Sequence, residues 1–225
     1  MRIIYHVMSA PAPLGLLFMA ATERGLRYLE FLDRRSLKRT IAAHAPENPG
    51  ATWEHSVREM RPLADQLEQY FCGTVQHLNV PLDLAGTEFQ LDAWKALLDI
   101  PYGQTRSYGD VAKAIGQPKA ARAVGLAANQ NPVVVVVPCH RVIGADGKPV
   151  GYVGGLPRKK FLLALEARFS GMLPLEGDRV IAPLTVKVAR PAAPRPVKRS
   201  GRTRAVAAAP RARKRLAAAA PRRPR

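Results

Sequence analysis

The chain has 225 residues, enough for one or two domains of ordinary size, and 47% of them are hydrophobic, so a sizeable core can form. It carries 35 Lys and Arg against 17 Asp and Glu, a formal net charge of +18 that predicts an acidic partner such as nucleic acid. The longest purely aliphatic run, Val133–Val137, is far shorter than the roughly 20 residues of a membrane helix, and the N-terminus lacks the apolar region of a signal peptide. We therefore expect a cytoplasmic protein that is neither secreted nor inserted into a membrane.

The basic charge is concentrated at the C-terminal end. Residues 179–225 contain 15 Lys and Arg and no Asp or Glu, so residues 1–178 hold 20 basic and 17 acidic residues, a net charge of only +3. The C-terminal segment is rich in Ala and Pro and poor in aromatic residues, a composition that cannot bury enough surface to fold. We predict a disordered basic tail over residues 173–225, which either binds DNA phosphates without sequence preference or is simply solvated.

The first part of the chain is predicted to form strands followed by a helix. Two strand-length apolar runs, Leu14–Ala21 and Leu26–Leu32, flank a Thr-Glu-Arg-Gly segment that is typical of a hairpin turn. Ile3–Met8 is a candidate third strand. The apolar spacing becomes helical between Val57 and Phe71. These elements predict an N-terminal α/β domain over residues 1–85.

The next part, residues 86–172, is predicted to be mostly helical. Thr87 and Gln90 fit a capping box at the start of one helix, and Ser107 can cap a second, short helix. Pro118 suits the first position of a third helix, Lys119 to about Ala128. Two short helices joined by a Gly-containing turn have the outline of a helix-turn-helix.

The second helix of this unit has an unusual composition. Small residues surround a single arginine, Arg122, and small side chains let a backbone approach another surface closely. One interpretation is an Ala-rich helix packed tightly on a neighbouring helix. The basic residue among small ones favours the other interpretation, which is contact with DNA.

A Cys-His pair follows the valine run. Val133–Val137 is predicted to be a buried strand that delivers Cys139 and His140 at its end. A thiol is a weak nucleophile until a base takes its proton, and His140 can be that base. Neighbouring side chains on a strand point to opposite faces, so a turn at Pro138–Arg141 or a bridging water is needed. Glu166 is the candidate acceptor that orients the histidine.

The sequence leaves other interpretations of the cysteines open. Cys139 can be a buried structural residue or the nucleophile of a Cys-His protease. Cys72, at the end of the predicted amphipathic helix, is interpreted as a core residue. Two cysteines are too few for a disulfide framework, which favours a reduced chain. No second Cys or His lies at ligand spacing from Cys139, so we predict no metal and no cofactor.

The segment Pro-Cys-His-Arg-Val-Ile at 138–143 resembles the active-site motif of O6-alkylguanine-DNA alkyltransferases, also called methylated-DNA–protein-cysteine methyltransferases. The similarity is specific over 86–168, looser over 1–85 and absent from the tail. Further motifs in the family's order and spacing are Gly86–Gln90 with Trp94, Ile100–Gly103, Ser107-Tyr108, Pro118–Gly125, Asn131-Pro132, Gly151-Tyr152, Gly154–Leu156 and Leu162–Glu166.

The resemblance implies an α/β (α+β) fold. A ribonuclease-H-like sheet-plus-helix domain would come first, followed by a mostly helical catalytic domain of the winged helix-turn-helix type. Two departures stand out. Val153 occupies a position that is often Ser in relatives, and the N-terminal domain has no cysteine-based zinc site, since Cys72 is its only cysteine.

The resemblance also implies a reaction and its residues. Cys139 would take the alkyl group from guanine O6, or from O4-alkylthymine if that base is also a substrate, in one in-line displacement. His140, acting through a water and held by Glu166, would form the thiolate. Asn131 would brace the turn around the nucleophile, and Tyr108 would donate to guanine N3 as the base leaves.

The family's DNA contacts fall on the predicted helix-turn-helix, where Arg122 would fill the stack left by a flipped nucleotide. The predicted DNA-binding residues are Arg122, Ala120, Ala121, Ala123, Gly125 and Ser107. The predicted pocket residues are Val142, Tyr152, Val153 and Gly154. The expected partners are double-stranded DNA containing O6-alkylguanine and, through the tail, undamaged DNA, with the protein a nucleoid-associated monomer. The rival hypothesis is a non-catalytic protein that binds or coats DNA.

Overall fold

The computed structural model describes residues 1–32 and 36–171, and the predicted tail lies outside these residues. The chain is a mixed α/β protein with strands in the first part and helices in the second, as predicted. Its strands are β1 (Arg2–Ala10), β2 (Gly15–Thr22), β3 (Gly25–Phe31), β4 (Thr52–His55), β5 (Arg106–Ser107) and β6 (Val142–Ile143). Its helices are α1 (Leu37–His44), α2 (Val57–Phe71), α3 (Glu88–Leu98), α4 (Tyr108–Ala114), α5 (Ala121–Asn129) and α6 (Leu156–Phe169).

Four strands form the N-terminal sheet in the order β3-β2-β1-β4. β1, β2 and β3 are antiparallel neighbours, which confirms the three predicted strands and the hairpin between the last two. Gly25 starts β3 with φ 142°, and a Cβ at this position would lie 2.4 Å from the carbonyl oxygen of Pro81. The hairpin therefore requires glycine there.

The sequence did not predict α1 or β4. β4 has only four residues, pairs in parallel with the edge of β1 and is largely exposed, so it has no alternating apolar pattern to reveal it. The predicted helix at Val57–Phe71 is confirmed as α2, with Ser56 as its N-cap. Pro62 lies in the second turn of this helix, beyond the first turn where proline costs no hydrogen bond.

The helical part begins with α3, whose capping box between Thr87 and Gln90 is present as predicted. Ser107 caps α4 through a second capping box with Asp110. The prediction for the start of the next helix is wrong: α5 begins at Ala121, and Pro118 lies in the turn between α4 and α5. The proline is therefore part of the connection that reverses the chain.

The valine run is buried but is not the predicted strand. Val133 forms a single bridge to Leu29 of β3, and the chain then turns, with Val135 at φ 70°. The side chain of Asn131 braces the turn, which the Val137 N–H also closes by donating to the Val133 carbonyl oxygen at 3.0 Å. Its amide nitrogen donates to the Val137 carbonyl oxygen at 2.8 Å, and its amide oxygen accepts from the Val133 N–H at 3.0 Å. The β-branched composition thus indicated burial correctly but not the conformation.

One hydrophobic core joins the sheet to the helices. Leu29 of β3 donates its N–H to the Pro132 carbonyl oxygen at 2.8 Å and accepts from the Val134 N–H at 2.9 Å. The turn that precedes Cys139 is therefore anchored to the N-terminal sheet. Among the helices of the described residues, none is both long enough and apolar enough to cross a membrane.

Candidate active site

Cys139 opens a short 3₁₀ turn, Cys139–Arg141, and is only 2% exposed. The Arg141 N–H closes the turn by donating to the Pro138 carbonyl oxygen at 2.9 Å. Because the backbone turns here, Cys139 and His140 are not forced to opposite faces as they would be on a strand. The sequence analysis required either a turn or a bridging water for Cys139 and His140 to act together, and the structure has the turn.

Asn131 contacts the nucleophilic atom as well as the backbone. Its amide nitrogen lies 3.1 Å from Sγ of Cys139 and donates to it. A donor to sulfur favours the thiolate over the thiol. The residue that shapes the valine turn therefore also holds the thiol.

His140 is oriented by Glu166. Nε2 of His140 lies 2.6 Å from Oε1 of Glu166, and both side chains are at most 1% exposed. An ionised carboxylate can only accept, so Nε2 carries the hydrogen and Nδ1 keeps its lone pair. Burial lowers the pKa of His140, against the opposing effect of Glu166, and keeps the ring neutral. The ring thus has the form that a general base needs.

The Glu166 carboxylate has further partners that the sequence did not predict. Arg141 makes a bidentate pair with it, at 2.9 Å from Nε to Oε2 and 3.0 Å from Nη2 to Oε1. The Tyr70 hydroxyl and the Gly103 N–H also donate to it. Burial alone would raise the pKa of Glu166, but His140 and Arg141 lower it to about 2. Glu166 is therefore ionised at neutral pH.

Lys159 is a fully buried cation behind the cysteine. Its Nζ donates to the carbonyl oxygens of Val142, Val150 and Gly151, the last two at 2.7 and 2.9 Å. Burial lowers the pKa of Lys159 to about 8, while the nearby Cys139 acts to raise it. Lys159 thus ties the segment after the nucleophile to Val150 and Gly151, which line the cavity that Cys139 borders.

The resting form of Cys139 is the thiol. Burial raises its pKa to about 11, and the hydrogen bond from Asn131 and the charge of Lys159 only partly offset this effect. A base must therefore remove the proton before the sulfur can attack. His140 can take that proton because Glu166 stabilises the resulting imidazolium.

Cys139 forms part of the wall of a cavity of about 650 Å³. The cavity brings together six residues that the sequence predicted, namely Cys139, Tyr108, Tyr152, Ala121, Arg122 and Gly125. It adds five that the sequence did not predict, Leu126, Ala128, Asn129, Val150 and Gly151. Nine predicted residues lie outside its lining. Asn131, His140 and Glu166 support Cys139 from the protein side, and the other six are Ser107, Ala120, Ala123, Val142, Val153 and Gly154.

The helix-turn-helix presents one exposed face beside the cavity. Arg122 and Ala123 are exposed on α5, whereas Val124 is buried against the core. The Ser107 hydroxyl is engaged at 2.7 Å with Asp110 in the cap of α4. Arg122 is therefore the cation of α5 that borders both the solvent and the cavity.

Tyr108 stands at the start of α4 and faces the cavity. Its hydroxyl donates to the Val150 carbonyl oxygen at 3.1 Å. Burial raises the pKa of Tyr108, and Cys139 adds to this effect, so the hydroxyl is protonated at neutral pH. Tyr108 can therefore donate a hydrogen bond to a bound molecule after exchanging its acceptor.

The N-terminal sheet supports the loop that forms the other wall. Arg158 donates from Nε to the Leu14 carbonyl oxygen at 2.9 Å and from Nη1 to the Gly154 carbonyl oxygen at 3.1 Å. Phe31 contacts the same loop: its ring is 6.2 Å, edge to face, from that of Tyr152. A Cβ on Gly154 would lie 2.5 Å from the Phe31 ring, so only glycine fits there.

No three His, Cys, Asp or Glu side chains lie close enough to hold a metal ion within 1–32 and 36–171. Cys72 is exposed, so its interpretation as a core residue is wrong. Tyr70 and Phe71 already cover the core side of the end of α2, and the next position along the helix turns towards solvent.

Three important residues were missed for identifiable reasons. Arg141 stands beside the Cys-His pair, and a buried arginine requires an acidic partner, so its pairing with Glu166 could have been proposed. Tyr70 falls in the apolar pattern of α2, so the sequence indicates a core residue there and not a hydrogen-bond donor. Lys159 lies between Arg158 and Lys160, a basic run that is typical of an exposed helix face. Local sequence carries no signal for the last two.

Two family descriptions match the chain in succession. The ribonuclease-like domain of 6-O-methylguanine DNA methyltransferase matches residues 3–84. The DNA binding domain of 6-O-methylguanine DNA methyltransferase matches residues 88–168. The two matches together cover most of the chain and exclude the C-terminal tail.

Several known proteins are similar to this chain. The methylated-DNA–protein-cysteine methyltransferase of Methanosarcina acetivorans is 46% identical over 155 residues, which are 69% of this chain and 94% of the relative. That of Mycolicibacterium paratuberculosis is 48% identical over 159 residues, 71% of this chain and 90% of the relative.

Solved structures agree with these relatives. The crystal structure of Mycobacterium tuberculosis O6-methylguanine methyltransferase has a TM-score of 0.64 and 43% identity, over 74% of this chain and 93% of that chain. A crystal structure of M. tuberculosis OGT in complex with DNA has a TM-score of 0.62 and 42% identity, over 75% and 94%. The chain belongs to the 6-O-methylguanine DNA methyltransferase family.

Proposed function

We propose that this chain repairs O6-alkylguanine in double-stranded DNA by transferring the alkyl group to Cys139. One observation carries the proposal: the buried thiol of Cys139 and the exposed arginine of the helix-turn-helix, Arg122, border the same cavity. A cavity of about 650 Å³ is of the size that holds small ligands in proteins. A flipped nucleobase entering past Arg122 would therefore meet the sulfur.

The chemical step begins with proton removal. The Cys139 proton passes through a water to Nδ1 of His140, and Glu166 stabilises the imidazolium that forms. The sulfur electron pair then attacks the alkyl carbon from the side opposite guanine O6. The new S–C bond forms as the C–O6 bond breaks, and the bonding electrons return to the guanine. Tyr108 donates a hydrogen bond to guanine N3, which reduces the charge on the departing base.

The reaction happens once per protein molecule. The product is an S-alkyl thioether, which is a very poor leaving group. Among the residues that the structure describes, the cavity lining contains no second cysteine or histidine that could remove the alkyl group. The protein is therefore consumed in the reaction, and it needs no cofactor for this single transfer.

The DNA-bound state follows from the same geometry. A carbon on O6 inside a stacked duplex cannot reach a thiol fixed in a pocket, so the nucleotide must leave the stack. Arg122 occupies the space that the base leaves, while the small residues around it let α5 approach the minor groove. Contacts in the minor groove distinguish few base pairs, which suits a protein that must find damage in any base sequence.

The remaining features are proposals that rest on the sequence. The domains are 1–85, 86–172 and the basic tail 173–225. The tail binds undamaged DNA through its positive charge, and deleting 179–225 should weaken that binding at low salt without slowing the transfer. If the salt dependence of binding to undamaged DNA stayed the same after the deletion, the tail would have no role in that binding. The protein acts as a monomer in the cytoplasm, associated with the nucleoid.

The rival function is a protein that binds or coats DNA without chemistry. The two functions differ in what happens to the lesion. Incubating the protein with a duplex containing O6-methylguanine should restore guanine in an amount that rises with protein up to one equivalent. Cys139→Ala should restore none but still bind the lesion. Tight binding by the natural chain with no restored guanine would support the rival function.

A further inference from the structure

Two buried polar atoms beside the nucleophile lack a hydrogen-bond partner in the described part of the chain. They are Nδ1 of His140 and the hydroxyl oxygen of Tyr152. A buried polar atom without a partner is costly, so such atoms are nearly always bonded to a water or a ligand. Nδ1 can only accept, because Nε2 carries the ring hydrogen, whereas the Tyr152 hydroxyl can donate. The pair therefore offers one acceptor and one donor to a bridging group.

The two side chains lie close enough together to share that group. Their ring centroids are 6.5 Å apart and the rings are nearly perpendicular, at 86°. Tyr152 also lines the cavity that Cys139 borders. A water with two to four polar partners is a stable part of a protein structure, and the thiol of Cys139, the third group that such a water would serve, borders the same cavity as Tyr152.

We propose that Tyr152 is a positioning residue for proton transfer, whose hydroxyl holds the water that connects Cys139 to His140. This inference rests on the proposed function and adds to it, since the family resemblance gives Tyr152 only a packing role against the base. The residue would then have two tasks: the ring forms the cavity wall, and the hydroxyl fixes the water.

The proton transfer moves one proton from sulfur to nitrogen through the water and leaves the total charge of the site unchanged. The S–H bond of Cys139 breaks and its proton passes to the water oxygen, while one proton of the water passes to Nδ1 of His140. The sulfur keeps the electron pair and becomes a thiolate, and the imidazole becomes an imidazolium. The Tyr152 hydroxyl donates to the water oxygen throughout and keeps its own proton. It therefore orients the water without being consumed.

Tyr152 remains a donor over the whole neutral range. Burial raises its pKa well above the ordinary value, and the neighbouring Cys139 adds to this effect. Its other titratable neighbours are Tyr70, Arg158 and Glu166. Cys139 itself is influenced by Asn131 and Lys159 and lies near Tyr108. His140 is influenced by Glu166, Arg141 and Lys159.

The test is the pH dependence of methyl transfer by the full chain carrying Tyr152→Phe. This change removes the hydroxyl and keeps the ring. The single-turnover rate with O6-methylguanine DNA should fall about tenfold at neutral pH, which corresponds to a rise of about one unit in the apparent pKa of Cys139. The loss should shrink as the pH rises, because hydroxide then removes the proton without the ordered water.

Tyr102→Phe is the matched control. Tyr102 is also a buried tyrosine whose hydroxyl has no partner among the described residues, but it does not line the cavity. Its removal should leave the pH profile of transfer unchanged. Lesion binding should be the same for Cys139→Ala and for Cys139→Ala combined with Tyr152→Phe, because the hydroxyl acts on the proton and not on the base.

Two results would overturn the inference. A pH profile of Tyr152→Phe that matches the natural chain would show that the hydroxyl does not hold the water. A rate lowered equally at every pH, with weaker lesion binding, would place the hydroxyl on the guanine instead. Both are distinct from failure of the proposed function, in which the natural chain itself would transfer no methyl group.

Discussion

The guanidinium of Arg158 lies over the ring of Phe31, with Cζ 4.5 Å from the ring centroid. Arg158 belongs to α6 and Phe31 ends β3, so the contact joins the helix that follows the catalytic loop to the N-terminal sheet. The same arginine holds the Gly154 carbonyl oxygen. The sheet thereby fixes the loop that carries Tyr152.

Replacing Arg158 with methionine should loosen this loop. The variant loses the charged hydrogen bonds to the Leu14 and Gly154 carbonyl oxygens and the contact with Phe31, so we expect about 2 kcal/mol lower stability and a several-fold slower transfer. Urea unfolding and single-turnover kinetics measure the two effects. Lys160→Met is the control, because it removes the same charge from an exposed position on α6. If Lys160→Met lowered the stability and the transfer rate as much as the Arg158 variant does, the loss would come from the removed charge and not from the contacts of Arg158.

Glu166→Gln should harm both stability and catalysis. Removing one partner of a buried ion pair leaves Arg141 uncompensated, which costs about 3–5 kcal/mol. The imidazolium of His140 also loses its counter-charge, so the transfer should slow by about 100-fold or more. Denaturant unfolding and single-turnover kinetics test both effects. Glu68→Gln, at an exposed position of α2, should change neither quantity.

The acid stability of the natural chain should reflect Glu166. Its pKa is about 2 in the folded protein against an ordinary value of 4.5, so it stabilises the fold above 4.5. This contribution is lost as the pH falls from 4.5 towards 2. In Glu166→Gln the same contribution is absent, so its stability should fall less steeply over that range. Parallel pH curves for the two proteins would contradict the low pKa.

Two substitutions at Asn131 should separate its structural role from its effect on sulfur. Asn131→Ala leaves the Val133 N–H without a partner and the Val137 carbonyl oxygen with only the Cys139 N–H, so we expect a loss of about 2 kcal/mol in unfolding free energy. Asn131→Asp keeps the acceptor for Val133 but places a negative charge beside Cys139. It should therefore transfer slowly at neutral pH, because the carboxylate opposes formation of the thiolate. If Asn131→Asp transferred at the natural rate, the contact with sulfur would have no catalytic role.

The two cysteines should differ in their reactivity with a small alkylating reagent. Burial raises the pKa of Cys139 to about 11, whereas Cys72 is exposed. At neutral pH iodoacetamide should therefore modify Cys72 first, and the reaction of Cys139 should accelerate as the pH rises. Peptide mapping after timed quenching measures both rates. Faster modification of Cys139 at neutral pH would mean that the thiolate already exists in the resting protein.

Local patterns predicted the parts of the fold that depend on short-range chemistry. The hairpin before Gly25, the capping box at Thr87 and the cap at Ser107 depend on neighbouring residues and are present. The turn at Val133–Val137 was missed because its conformation depends on the side chain of Asn131 and the bridge to Leu29. The β-branched residues of this segment indicate burial correctly, but a buried segment need not be a strand.

The site could be predicted only in part for a related reason. The Cys-His pair predicted the thiol and its base, and the base's need for an acceptor predicted Glu166. The support of Glu166 by Tyr70 joins positions that are 96 residues apart in the chain. The hold of Arg158 on Leu14 spans 144 residues. Such contacts arise when helices and strands that are distant in the sequence pack together, so no local pattern of residues predicts them.

The position of the methyl group after the reaction shows whether Cys139 is the acceptor. The full chain is incubated with excess duplex containing isotope-labelled O6-methylguanine, digested, and analysed by peptide mass spectrometry. We expect one labelled methyl group per chain, located on the sulfur of Cys139, with Cys72 unmodified. Label on Cys72 or on any other residue, or no label on a chain that binds the duplex, would contradict it.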